Sequence, residues 1–106
     1  MSDTFRAVQG AIREGRVAVS RHAFRELEED ELELERVLAV AVAGEVVEDY
    51  PTDPRGPSCL VCSALDLGFW VHTVWGWDAG ARIAVLITAY RPSPEKWNED
   101  FKTRKH

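Results

Sequence analysis

"RIAVLITAY", residues 82–90, is the longest β-branched run in the chain. Val, Ile and Thr are stiff at χ1 and suit the pleated, packed surface of a strand. Both alternate sets of its side chains are largely apolar, which predicts a strand internal to its sheet and covered on both faces. Upstream, "DAGA" (78–81) is a turn, and "FWVHTVWGW" (69–77) and "CLVCSAL" (59–65) are two strands around the turn "DLG" (66–68). "PTDPRGPS" (51–58) holds three prolines and a glycine and is a loop, preceded by a short strand in "EVVEDYP" (45–51). Downstream, "RPSPEKW" (91–97) breaks the strand, and a short helical tail is expected after it.

The first half has a different period. "TFRAVQGAIREG" (4–15) places Phe5, Val8 and Ile12 at helical spacing, with Gly15 as a stop. "RVAVS" (16–20) is a strand fragment, and Ser20 is the N-cap of a helix with Ala23, Phe24 and Leu27 on its apolar stripe. Acids from Glu28 to Glu31 interrupt that stripe. A further helix follows in "ELELERVLAVAVAG" (31–44), with Asp30 as its expected cap and Glu33 three residues on. Leu34, Val37, Leu38, Ala41 and Val42 form its apolar face, and Gly44 ends it. Helices first and a meander second make an α+β domain: two main helices on one face of about four antiparallel strands.

The 106 residues fit one domain, residues 1–106, with enough chain for a core without staples. Apolar residues are 45% and charged residues 29%, the balance of a soluble globular protein. No run is long enough to span a membrane and no secretory signal is visible, so the expected location is cytoplasmic. The net charge of −5 is uneven: residues 1–50 hold twelve acids against six Lys or Arg, and residues 51–106 hold six against seven. The acidic balance weakens non-specific affinity for nucleic acid, while a local basic patch survives in "RPSPEKWNEDFKTRKH" (91–106). Cys59 and Cys62 lie on a strand, where positions three apart point to opposite faces. No second cysteine pair completes a zinc site, so two reduced, half-buried thiols without metal are expected, and no cofactor is indicated.

Few side chains carry chemistry. His22 falls in the first turn of its helix, where the dipole disfavours a cation and Glu26, one turn on, favours it. It reads either as a surface histidine or as a base. His72 lies mid-strand on a face with Trp70 and Val74, either hydrogen-bonded in the sheet or acting as a general acid or base. Trp75 and Trp77 share the other face. Four tryptophans in so short a chain supply a partner surface, a stacking platform or a lining for a small molecule, unless helices cover one face and the tail, through Trp97 and Phe101, covers the other. Arg91 sits where a strand stops, a common place for a functional side chain, and Arg104 lies in the basic tail.

"VSRHA" (19–23), "GEVVEDYP" (44–51) and "ITAYRPSPEKWNEDFKTRK" (87–105), in that order, resemble the domain-of-unknown-function family 4258 over nearly the whole chain. That family is similar to the RelE/ParE-like toxins, including BrnT and MqsR types. The resemblance implies helices packed on a curved antiparallel sheet and a ribonuclease of a toxin–antitoxin module, for which a metal-independent route is expected. It also implies a zinc-finger-type antitoxin encoded nearby as partner. The matching residues are Ser20, His22 and Ala23, then Tyr90, Arg91 and Pro92, then Trp97, Phe101 and Arg104. For RNA, His22 or His72 is the expected base for the ribose 2′-hydroxyl, and Arg91 and Arg104 hold the phosphate. The family usually carries arginines where this chain has Glu26 and Asp30. Those carboxylates argue against full activity, and an arginine at position 26 is expected to raise it. A catalytically silent protein-binding module and a small-molecule binder using the tryptophan-lined sheet are the alternative readings.

Overall fold

A computed structural model describes residues 2–66 and 68–105. Helix α1 (Asp3–Arg13) is capped by Ser2, whose hydroxyl accepts from the Phe5 N–H and donates to Asp49. It buries Phe5, Val8 and Ala11 and is followed by Gly15 at φ +74°, a conformation that favours glycine. Three residues form β1 (Val17–Val19), and α2 (Arg21–Glu29) starts at Ser20. Helix α3 (Leu34–Ala41) buries Val37 and Ala41. Then come β2 (Glu45–Tyr50), β3 (Ser58–Asp66), β4 (Phe69–Asp78) and β5 (Ile83–Tyr90). Leu67, in the expected β3–β4 turn, lies outside the described residues, while Gly68 has φ +78° and Asp66 pairs with Phe69.

The sheet order is β1-β5-β4-β3-β2. Strand β5 is internal, as its sequence predicts. The sheet has five strands rather than about four, and it is mixed, because β1 runs parallel to β5 with Val17 opposite Ala84 and Val19 opposite Leu86. All three helices bury apolar side chains in one core with Cys59, Val61, Val71, Trp75, Leu86 and other strand residues.

A β-bulge changes which way β5 faces. Val74 pairs with Thr88 and Trp75 with Leu86, which leaves Ile87 without a partner. The extra residue shifts the alternation, so the core-facing set is Ala84, Leu86 and Ala89. Strict alternation from Ala84 would have buried Tyr90 under the helices. Instead Tyr90 pairs with His72 on the opposite face.

Beyond Leu86, β5 has no β1 residue beside it, and α2 completes its edge. The Ser20 N–H donates to the Leu86 carbonyl and the Ser20 hydroxyl to the Ile87 carbonyl. Glu26 Oε1 accepts from the Ala89 N–H at 3.1 Å, and Asp30 Oδ2 accepts from the Arg91 N–H at 2.8 Å. The spacing fits: four helical residues rise about 6 Å and two strand residues about 6.6 Å. This corrects the expected role of Asp30, which ends α2 rather than capping α3; Glu33 stands at the α3 N-cap without a side-chain bond.

Residues 91–105 cross the face of the sheet opposite the helices. They form turns and a bridge between Trp97 and Arg104, not the expected helix. Pro92 and Pro94 remove backbone donors, and Phe101 takes φ +55°. Trp97 is buried edge-on against His72, with ring centroids 4.5 Å apart. Lys102 pairs with Glu45 and Arg104 with Glu48, which ties the segment to β2.

Candidate functional site

The bulge turns Tyr90 toward an open cleft of about 390 Å³ between α2 and the C-terminal segment. Glu26, Thr88, Tyr90, Arg91, Lys96 and Arg104 contribute to its walls. Three cations on one cleft stand out in a chain of net charge −5.

His72 lies fully buried behind Tyr90. Its Nε2 is 2.6 Å from the Phe101 carbonyl oxygen, which can only accept. Nε2 therefore carries the proton, and Nδ1 receives the Tyr90 hydroxyl at 3.1 Å. Burial lowers the His72 pKa, opposed by the Phe101 hydrogen bond and assisted by the Arg104 charge. Burial likewise raises the Tyr90 pKa. The pair is a neutral imidazole backing a protonated phenol. His72 is sealed from solvent behind Tyr90 and Trp97, which both line the cleft, and its hydrogen bond toward the cleft is to Tyr90.

His22 stands at the rim, its side chain 65% exposed, with Nε2 3.1 Å from Glu26 Oε1. That oxygen also accepts the Ala89 N–H, so the carboxylate that orients the imidazole is itself held by the strand. An exposed imidazole held by a fixed carboxylate is the arrangement of a general base. Arg104 forks onto Glu48 at 2.7 and 3.1 Å and stacks over Trp97, with its guanidinium carbon 4.6 Å from the ring centroid. The ion pair holds Glu48 below the usual carboxylate range. Arg91 donates from Nε to the Asp30 carbonyl at 3.2 Å and keeps the rest of its fork for the cleft or its rim.

Of the four residues singled out in the sequence, Arg91 and Arg104 line the cleft directly. His72 touches it through Tyr90 and His22 through Glu26. Lys96 stands out in the sequence only as part of the basic patch at 91–106, while Glu48 and the role of Tyr90 have no local signal: Glu48 meets Arg104 across 56 positions of chain. The cysteines lie deeper than the half-burial expected. Cys59 is in the helix-side core and Cys62 is buried outside it, both as free thiols. Burial pushes their pKa values up to about 12 and about 11. Trp75 and Trp77 pack on the helix side, and Trp70 lies beneath the Lys102 ammonium.

Residues 19–91 match the family model described as Domain of unknown function (DUF4258). The chain belongs to that family. The matched span holds His22, Glu26, His72, Tyr90 and Arg91, and stops before Lys96, Trp97 and Arg104. No curated protein and no solved structure matches the chain. Among the described residues, no helix is long and apolar enough to cross a membrane, and no group of three metal-ligating side chains converges.

Proposed function

We propose that this DUF4258 domain is a RelE/ParE-like, toxin-type ribonuclease that cleaves RNA by acid–base chemistry. The observation that carries the reading is that Arg91, Lys96 and Arg104 line one cleft with Tyr90 and with Glu26, the partner of His22. His22, oriented by Glu26, takes the proton of a ribose 2′-hydroxyl. The 2′ oxygen attacks the adjacent phosphorus and the bond to the 5′ oxygen breaks. Tyr90, its hydroxyl turning from His72 Nδ1 to the leaving group, gives that oxygen its proton, leaving a 2′,3′-cyclic phosphate on one product. Arg91 and Lys96 meet the charge that develops on the phosphoryl oxygens, the largest contribution such a site makes. Glu26 and Asp30 keep their charge, but each has one oxygen fixed by a backbone N–H, of Ala89 and of Arg91, so both carboxylates serve the join between α2 and the end of β5.

Toxins of this type are held inactive by a neighbouring antitoxin, and a small zinc-finger protein is the partner this reading implies. The test is incubation of the purified chain with total RNA in EDTA, followed by analysis of the product ends. Cyclic phosphate ends that disappear in Arg91→Ala and His22→Ala support the reading. Intact RNA together with normal growth on expression refutes it. A catalytically silent protein-binding module is the second reading, favoured by Phe24, which stands 48% exposed on α2. Under that reading expression leaves RNA intact, and Phe24→Ser abolishes capture of the neighbouring gene's product.

A further inference from the structure

Next to the cleft, and sharing Arg91 with it, lies a smaller groove of about 170 Å³ lined by Gly68, Phe69, Trp70, Arg91, Pro92 and Phe101. Phe69, the first residue of β4, is 56% exposed, the most exposed large apolar side chain among the described residues. A phenyl ring at the end of a strand, left open to water, serves no core. The Arg91 guanidinium lies 5.8 Å from its centroid, and the Lys102 ammonium lies 5.9 Å from that of Trp70. Each of the two rings Phe69 and Trp70 thus has a cation beside it, and Arg91 is shared with the cleft that carries two further cations, Lys96 and Arg104. Bases unstack onto exposed rings while flanking cations follow the phosphates, which is how single strands are held without sequence readout. In a duplex the bases are stacked and cannot reach such a ring.

We infer that Phe69 is a nucleobase-stacking position and that the ligand is single-stranded RNA, with one base on Phe69 and the adjoining phosphate at Arg91. This inference rests on the ribonuclease reading for its polarity, and it adds a substrate class: unpaired segments, not helices.

The probe is a short single-stranded oligonucleotide with 2′-fluoro sugars, which lack the attacking hydroxyl, carrying one 2-aminopurine. Stacking on Phe69 quenches its fluorescence. The expected result is binding with quenching by the full chain. Phe69→Ala should weaken binding roughly tenfold, about the value of one base–aromatic stack, and remove the quenching. Phe69→Trp should restore both, and the same oligonucleotide annealed to its complement should bind weakly. The high exposure of Phe69 makes loss of folding by Phe69→Ala a poor explanation, and circular dichroism checks it. If Phe69→Ala binds as the parent does while Arg91→Ala does not, the stacking position is wrong and the cleft reading stands. Tighter binding of the duplex also overturns the inference. If the parent chain binds neither form at low salt, the inference and the ribonuclease reading fall together.

Discussion

Replacing Glu26 tests whether its carboxylate serves the fold or opposes the function. The side chain is 19% exposed, and Oε1 accepts from the N–H of Ala89, a fully buried residue. In Glu26→Ala that N–H keeps no acceptor of its own. A hydrogen bond to a charged group contributes about 1.5–3 kcal/mol, and stranding the donor costs about 1–3 kcal/mol, two views of the same loss rather than two losses. The expected destabilisation is therefore about 2 kcal/mol, or a fall in Tm on the order of 10 °C for a domain of this size. Glu26→Gln keeps an acceptor oxygen and should lose less than half as much. Glu26→Arg offers only donors toward the Ala89 N–H, so it should be at least as unstable as Glu26→Ala, and no more active. That reverses the expectation from sequence that an arginine at position 26 raises activity. Urea titrations give the energies, and hydrogen exchange at the Ala89 amide gives the location. A Glu26→Arg protein as stable as the Gln variant, with Ala89 still protected, would refute the reasoning.

Other outcomes follow from the same contacts. Arg91→Ala should abolish RNA cleavage yet shift stability by less than about 1 kcal/mol, because an exposed arginine contributes little to a core; a folded, fully active variant contradicts the assignment. His72→Ala should cost about 3 kcal/mol or more, since it empties a fully buried site and strands the Tyr90 hydroxyl, and thermal melts measure it. His72 also makes stability depend on pH: its folded pKa lies below the ordinary 6.5, so the unfolded chain binds the proton more readily. The His72 contribution should be complete above pH 6.5 and decline as the pH falls below it, until the folded-state pKa is passed. His72→Gln should flatten that part of the profile. Native mass spectrometry should find both thiols free and no zinc, and iodoacetamide should label neither at neutral pH until the protein unfolds; a mass lower by two hydrogens contradicts this.

What could be read in the sequence was local. Ser20 announces its helix through a hydroxyl that reaches three residues ahead, and β5 announces its internal place through apolar side chains on both faces. The His22–Glu26 pair is one helical turn long and visible as such. What could not be read was set by partners far along the chain. Three residues of β1 carry no sign that they will run parallel to β5. Asp30 looks like a helix cap until Arg91, 61 positions away, takes its carboxylate. The bulge at Ile87 leaves no mark in an unbroken run of apolar residues, yet it decides whether Tyr90 faces the core or the cleft. Half of the candidate site rests on that one inserted residue.

The completion of the β5 edge by α2 also bears on how the domain is made. Strand β5 comes late in the chain, and its outer neighbours, β1 and α2, come early, joined by bonds spanning 61 and 63 positions. During synthesis, residues 16–30 have no strand to dock on until residue 91 has emerged. Closure of the first third onto the last strand is then a late event, governed by loop entropy rather than by helix formation.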